Sequence, residues 1–244
     1  MQPLIYAHRG ASAHAPENTI SAFILAADHR ADGIELDVKL TCDDRVIVLH
    51  DPTLDRTTNG SGNYKKYGFE ELRRLDAGAW FSDHYRGEKI PTLEDVLDGV
   101  GDRLGVNIEL TNYTTPHDDL VEHVVEILKD IKNTSRIMFS SFSTGNLRKA
   151  KQLLPQIPCG LLAFPGWSGW WAREVFIHTP GYPALHPFYK DINARMVGKL
   201  HQRTHQVNVW TVNDPAEMRR LKMLGVDMLM TDDPLLARTT LGME

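Results

Sequence analysis

Short apolar runs alternate with stretches in which apolar residues recur every three to four positions. Residues 4–7 form the first run. Ile20, Phe23, Ile24 and Ala27 then take the i, i+3, i+4, i+7 spacing of a helix face, and Gly33 stops it. Residues 34–40 and 46–49 read as two strands joined by Thr41-Cys42-Asp43-Asp44-Arg45. That link is too short for a parallel crossover, so the pair is expected to be an antiparallel hairpin. Further strands are expected at 105–110, 136–140, 160–163, 184–186, 207–212 and 227–230, with helices at 117–131, 143–153, 193–204 and 215–224 between most of them. Thr92-Leu93-Glu94-Asp95 reads as a capping box for a helix that buries Leu93, Val96, Leu97 and Val100. Asp214, Pro215 and Gly225 punctuate another helix.

Residues 52–91 follow no sustained period and carry turn residues such as Asn59-Gly60-Ser61-Gly62. A structureless loop of about 40 residues is improbable inside a compact domain. The segment is therefore expected to be a small inserted subdomain with structure of its own. Without the hairpin strand, the strands at 4–7, 34–40, 105–110, 136–140, 160–163, 184–186, 207–212 and 227–230 form a parallel set. That set predicts an α/β fold: a single (β/α)8 TIM-barrel domain over 1–244 with the insertion after the second-strand hairpin. An open doubly wound sheet satisfies the same periodicity.

Composition narrows the function classes. The chain has 244 residues, 42% hydrophobic and 24% charged, which is ordinary for a globular protein. Its 27 Lys+Arg against 32 Asp+Glu give a net charge of −5, which argues against an electrostatic grip on nucleic acid. Cys42 and Cys159 cannot build a disulfide framework or a zinc cluster. No apolar run is long enough for a signal peptide or a membrane helix, so a cytoplasmic protein without stable membrane insertion is expected. Oligomeric state is not legible.

Polar residues gather at the C-terminal strand ends, where barrel enzymes place their chemistry. His8-Arg9-Gly10 ends the first strand and His50-Asp51 the hairpin strand. Glu35 and Asp37 stand i, i+2 on the second strand, and Glu109 stands on the next parallel strand. Strand alternation points Glu35 and Asp37 to one face. If that face is the lumen, the pair needs a cation or a shared proton, and a hard oxygen-liganded cation completed by Glu109 resolves the repulsion. The alternative is that they face solvent or pair with Lys39 and Arg45. His8 and His50 suit proton transfer near neutral pH. Arg9 suits a phosphate clamp, and an ion pair with Glu17 would orient it. Trp210 is a candidate for lining a substrate pocket. Phe164-Pro165-Gly166-Trp167-Ser168-Gly169-Trp170-Trp171 reads either as an aromatic lip for a choline group or lipid surface, or as a helix entry packed on the barrel wall; the second is the expectation.

A set of motifs occurs in order from residue 8 to 234: His8-Arg9-Gly10, Pro16-Glu17-Asn18-Thr19, Glu35-Leu36-Asp37-Val38, Val48-Leu49-His50-Asp51 and Leu54-Asp55-Arg56-Thr57-Thr58-Asn59-Gly60. They continue through Asn107-Ile108-Glu109-Leu110, Ser140-Ser141-Phe142, Val209-Trp210-Thr211-Val212-Asn213 and Thr231-Asp232-Asp233-Pro234. Together they resemble the bacterial glycerophosphodiester phosphodiesterases. The resemblance implies a barrel of the phosphatidylinositol-phospholipase-C type. It implies Glu35, Asp37 and Glu109 as ligands of one divalent cation, Ca²⁺ or Mg²⁺, His8 and His50 as general acid and base, and Arg9 as the phosphate clamp. It also implies hydrolysis of a small-molecule glycerophosphodiester to sn-glycerol 3-phosphate and an alcohol. The family usually has Lys two residues after the third carboxylate. Here that residue is Thr111, so a second phosphate-facing cation is either missing or supplied elsewhere. Two other readings stand beside this one: a lysophospholipase D or sphingomyelinase-D-like enzyme on an intact lipid, and a non-catalytic phosphate-binding barrel.

Overall fold

The computed structural model describes residues 2–131, 133–179 and 181–243. Its elements run β1 (Leu4–His8), α1 (Ile20–Asp28), β2 (Gly33–Leu40), β3 (Val46–Val48), α2 (Phe69–Leu72), α3 (Leu93–Val100), β4 (Gly105–Leu110), α4 (Leu120–Lys129) and β5 (Ile137–Ser141). They continue with α5 (Thr144–Leu153), β6 (Cys159–Ala163), α6 (Trp170–Glu174), β7 (Ala184–Pro187), α7 (Ala194–His201), β8 (Gln206–Val209), α8 (Pro215–Leu224), β9 (Met228–Thr231) and α9 (Pro234–Leu241). Parallel pairing runs β1–β2–β4–β5–β6–β7–β8–β9 and returns from β9 to β1. The sheet therefore closes into a TIM barrel, and the open doubly wound alternative falls. β3 pairs antiparallel with Val38–Leu40, the end of β2 that extends past its contact with β1.

Alternation along each strand sorts the chemistry. Every residue of β2 is buried. Ile34, Leu36, Val38 and Leu40 face the helices in the main core, so the intervening Glu35, Asp37 and Lys39 project to the opposite face, the lumen. A second small core closes one end of the lumen with Tyr6, Met138, Ala184 and Met228. Gly33 and Gly105 have no side chain because the Tyr6 ring occupies the space where a Cβ would stand. Gly105→Ala is expected to destabilise by about 1–3 kcal/mol, the usual range for overpacking. Urea unfolding checks this, and an unchanged midpoint would show that the Tyr6 ring can give way.

The capping signals read correctly. Thr92 Oγ1 accepts from Asp95 N at 3.1 Å and Asp95 Oδ2 from Thr92 N at 3.0 Å. Asp214 caps α8, and Gly225 ends it at φ 80. The same Asp-Pro…Gly punctuation in Asp233, Pro234 and Gly242 starts and stops α9, a helix the periodicity did not mark. The strand expected over 207–212 ends instead at Val209, and Trp210 follows it through a bridge to Phe188. Residues 52–91 hold α2 and short 3-10 turns rather than a bare loop. They pack a separate cluster of Leu54, Tyr64, Leu72, Ala77 and Ile90 on Ile47 and Leu49 beside the barrel rim. Cys42 and Cys159 are both unpaired. No helix among the described residues is long and apolar enough to cross a membrane.

Candidate active site

Three carboxylates meet at the C-terminal end of the barrel. Register places Asp37 opposite Glu109 across β2 and β4, with Glu35 two residues before Asp37 on the same face. One oxygen from each of Glu35, Asp37 and Glu109 lies within 4.8 Å of the other two. The solvent-facing alternative therefore falls: Glu35 and Asp37 are 3% and 1% exposed. Burial, reinforced by repulsion from Asp37, pushes Glu109 up to about 8 and Glu35 well above the usual carboxylate range. Burial pulls Asp37 the same way but is outweighed by Arg9, His50 and the amide of Asn18, so its carboxyl is held low. Asn18 Nδ2 donates to Asp37 Oδ2 at 3.0 Å, and the Arg9 amide donates to Glu35 Oε2 at 3.1 Å. Three anions packed this closely repel one another unless protons or a cation neutralise them. The all-oxygen donor set fits a hard divalent cation.

Both histidines are paired through Nδ1 with an aspartate. His8 Nδ1 lies 2.7 Å from Asp232 Oδ1, which also accepts from Ser12 Oγ. His50 Nδ1 lies 2.6 Å from Asp51 Oδ1. A proton on each Nδ1 satisfies these aspartates and leaves Nε2 as the nitrogen open to a ligand. Hydrogen bonds from Arg56 and His50 overcome burial and hold Asp51 down at about 2. Arg9 donates to Glu17 Oε1 at 2.8 Å, and its Nε stands 3.4 Å from Asp37. Glu17 thus orients Arg9 as the sequence suggested. Arg56 bridges the two arms: it donates to Asp51 Oδ2 at 2.6 Å and to both Glu17 oxygens at 2.6 and 2.8 Å. This insertion residue therefore links the support of His50 to the support of Arg9.

A cavity of about 240 Å³ collects these groups, lined by His8, Arg9, Glu35, His50 and Glu109 together with the aromatic rings of Phe142, Phe164 and Trp210. Phe142 stacks on Phe164 at 4.0 Å and meets Trp210 edge-on at 5.8 Å. All the sequence-predicted site residues but Asp37 line this cavity, and Asp37 adjoins it through Arg9 and the carboxylate cluster. Sequence reading missed the support roles of Asp232, Arg56 and Asn18, which were visible inside the motifs but whose partners His8, Glu17 and Asp37 lie far along the chain; Asp51 stands directly beside its partner His50. Tyr113 was missed entirely. Its hydroxyl donates to Glu109 Oε1 at 2.9 Å.

Two further expectations change. Trp167, Trp170 and Trp171 do begin a helix, but they are not packed on the barrel wall: Trp167 is 91% and Trp171 58% exposed. The rim beside Phe164 is an exposed aromatic surface. Beside Thr111 stands a lysine of the neighbouring strand. Lys39 is buried, and its Nζ donates to Thr111 Oγ1 at 3.1 Å and Thr111 O at 3.2 Å. Burial pulls its pKa down, against the pull of Asp37 and Glu109. Thr111 Oγ1 in turn donates to Val38 O at 2.7 Å. A lysine placed at 111 would meet the Lys39 ammonium and remove both bonds of the Thr111 hydroxyl, leaving the backbone carbonyl as acceptor. Thr111→Lys is therefore expected to destabilise by about 1–3 kcal/mol, and Lys39→Thr to relieve part of that loss in the double variant. A urea double-mutant cycle checks this; additive losses would mean that the two positions do not share one ammonium site.

A family model described as the glycerophosphoryl diester phosphodiesterase family matches residues 8–236. A glycerophosphodiester phosphodiesterase from Caldanaerobacter subterraneus subsp. tengcongensis is 40% identical, over 96% of each chain. One from Bacillus altitudinis is 36% identical, over 94% of each. Among solved structures, an Oleispira antarctica phosphodiesterase in complex with the product sn-glycerol-3-phosphate superposes with a TM-score of 0.90 at 31% identity, covering 99% of this chain and 97% of that one.

Proposed function

The chain belongs to the glycerophosphoryl diester phosphodiesterase family, and from that premise we propose that it hydrolyses glycerophosphodiesters to sn-glycerol 3-phosphate and an alcohol with the help of a divalent cation. The observation that carries the reading is the convergence on one cavity of two aspartate-paired histidines, a half-buried arginine and an acidic cluster. The relative solved with sn-glycerol-3-phosphate supports a substrate of that size.

The chemistry follows from charge. A phosphodiester anion repels nucleophiles, and Arg9 offers a guanidinium beside the cavity to hold and neutralise it. Glu35, Asp37 and Glu109 would hold Ca²⁺ or Mg²⁺, which when bound supplies further charge neutralisation at the phosphate and the departing oxygen. One histidine Nε2 takes a proton from the nucleophile, either water or the glycerol 2-hydroxyl. The other histidine gives a proton to the leaving alkoxide. Asp232 and Asp51 fix the rings so that Nε2 faces the substrate, and they stabilise each imidazolium as it forms.

Release of sn-glycerol 3-phosphate from glycerophosphocholine tests the proposal directly. Release is expected with added Ca²⁺ or Mg²⁺ and is lost in EDTA. No release under any cation condition would sink it. A second reading, cleavage of an intact lysolipid, has the exposed Trp167–Trp171 rim in its favour. Lysophosphatidylcholine vesicles separate the two, because a lipid enzyme would act on them in preference to glycerophosphocholine.

A further inference from the structure

Beside the cavity the chain presents a surface that the reaction does not use. The segment after β6 doubles back on itself: at Gly169 any Cβ would run into Phe164 O, so only glycine lets the backbone approach this closely. Arg173, whose side chain is nearly buried, donates from Nη1 to Phe164 O at 2.9 Å and from Nη2 to Gly166 O at 2.5 Å. Asp191, just past β7, accepts from Gly166 N at 2.6 Å and from Arg173 Nη1 at 3.1 Å. This buttress fixes the backbone of the tip, and from it Trp167 projects almost wholly into solvent. Trp170, Trp171, Val175 and Phe176 continue the exposed apolar surface along α6, and Phe164 joins it to the mouth of the cavity. Apolar side chains clustered in water on a fixed backbone mark a surface that is covered in use.

The charge around this surface says what covers it. Residues 164–205 carry five cations, Arg173, Lys190, Arg195, Lys199 and Arg203, against two acids, Glu174 and Asp191, a net +3 in a chain whose net charge is −5. The two acids are taken up by Lys199 and Arg173. Lys190 and Arg195 are exposed, and neither has an acidic partner among the described residues. Lys190 adjoins Asp191, which holds the tip, and Arg195 lines a groove of about 350 Å³ between α6 and α7 with Arg173, Glu174 and Lys199. We propose that this face docks on an anionic lipid bilayer, with Trp167 and Trp171 in the interface and Lys190 and Arg195 against the anionic headgroups. An indole ring suits that level, being apolar with one N–H donor, and each cation near a negative membrane adds to the attraction. A second copy of this chain is the poorer match, because a symmetric pairing would set the same positive face against itself. The inference goes beyond the diesterase reading and holds whether the substrate is a free glycerophosphodiester or a lysolipid.

Cosedimentation with vesicles in EDTA reads this surface without turnover and without a cation that could bridge protein to lipid. Vesicles of phosphatidylcholine and phosphatidylglycerol in equal parts are compared with vesicles of phosphatidylcholine alone, at low ionic strength. The intact chain is expected to bind the anionic vesicles at least about 10-fold more tightly. The double variant Trp167→Ala/Trp171→Ala should lose about 10-fold or more in affinity for them, since the buried apolar area carries part of the binding. The double variant Lys190→Glu/Arg195→Glu should bring the preference for anionic over neutral vesicles below about threefold. All four side chains are exposed, so both variants should keep the parent's Tm, which shows that the fold is intact. No binding of the parent to anionic vesicles, or binding by either double variant equal to the parent's, overturns the proposal. So does self-association of the parent that Trp167→Ala abolishes while vesicles bind neither, which assigns the face to a second copy. A parent that binds the vesicles yet releases no product from glycerophosphocholine supports the docking face and sinks the diesterase reading alone.

Discussion

Removing either histidine is expected to lower kcat on glycerophosphocholine by about 10²–10⁴, the usual contribution of a positioned acid or base. His8→Ala and His50→Ala should both keep the fold, because neither ring is part of the apolar core and each leaves behind an aspartate with other partners. Asp232 retains Ser12 and Asn213, and Asp51 retains Arg56. The two variants should part company on a substrate with a good leaving group. With a p-nitrophenyl ester of glycerol phosphate, the leaving oxygen needs no proton. The variant that lacks the acid then recovers most of its rate, while the variant that lacks the base does not. Rate constants for both substrates therefore assign the roles. If both variants kept kcat within about fivefold on glycerophosphocholine, neither ring would be moving a proton in the slow step.

Most of the site was legible because it sits on strands. Strand alternation put Glu35 and Asp37 on one face, and the strand ends carried His8 and His50. What alternation does not reveal is closure, so the step from nine strand candidates to a barrel needed the β9–β1 pairing. Trp210 kept its place at the pocket although its strand is shorter than the apolar run implied, because a backbone bridge to Phe188 and ring packing on Phe142 and Phe188 hold it there. The supports were hidden for another reason. Asp232 reaches His8 across 224 positions, and Arg56 reaches Glu17 across 39, so no local spacing announces either pair. The aromatic segment misled because aromatic residues are usually buried. Trp167 is a case where composition says core and position says rim.

The histidine supports and the lysine swap follow the same electrostatic logic. The site gathers Asp37, Glu35, Glu109, Glu17, Asp51 and Asp232 in a protein that is already acidic overall. Arg9 and Arg56 are each shared between acids rather than paired one to one. Lys39 adds a buried ammonium on the same strand face as Glu35 and Asp37. With a divalent ion added, these three cations nearly balance the six carboxylates, so an anionic diester meets a site close to neutral in a protein whose net charge is −5.

Cation removal should have the other large effect, and its pH dependence has a definite sign. In the cation-free chain Glu109 titrates at about 8 and Glu35 well above its ordinary range, against roughly 4.3 for an unfolded Glu. Between about pH 4.5 and 8 the folded state therefore holds protons that the unfolded state has released. The slope of unfolding free energy with pH is then negative, so the cation-free protein should lose stability as pH rises through that window. Asp37, held low, works the other way, and its contribution is lost only on acidification below the ordinary Asp range. A fall in Tm on the order of 5–10 °C from pH 5 to 8 is expected without cation. Saturating Ca²⁺ or Mg²⁺ should flatten the curve, because binding requires the deprotonated carboxylates and replaces their protons. The stabilisation by cation thus grows with pH. Glu109→Gln removes one anion while keeping its shape. That variant should lose part of the downward slope, keeping the part due to Glu35, bind the cation weakly and drop in turnover by about 10³ or more, the several kcal/mol assigned to such an ion. Thermal melts at several pH values, with cation and with EDTA, measure the slope and the cation binding, and release of sn-glycerol 3-phosphate measures the turnover. A cation-free Tm that rises from pH 5 to 8, or a Glu109→Gln variant as strongly activated by cation as the parent, would remove the three carboxylates from the role of ligands.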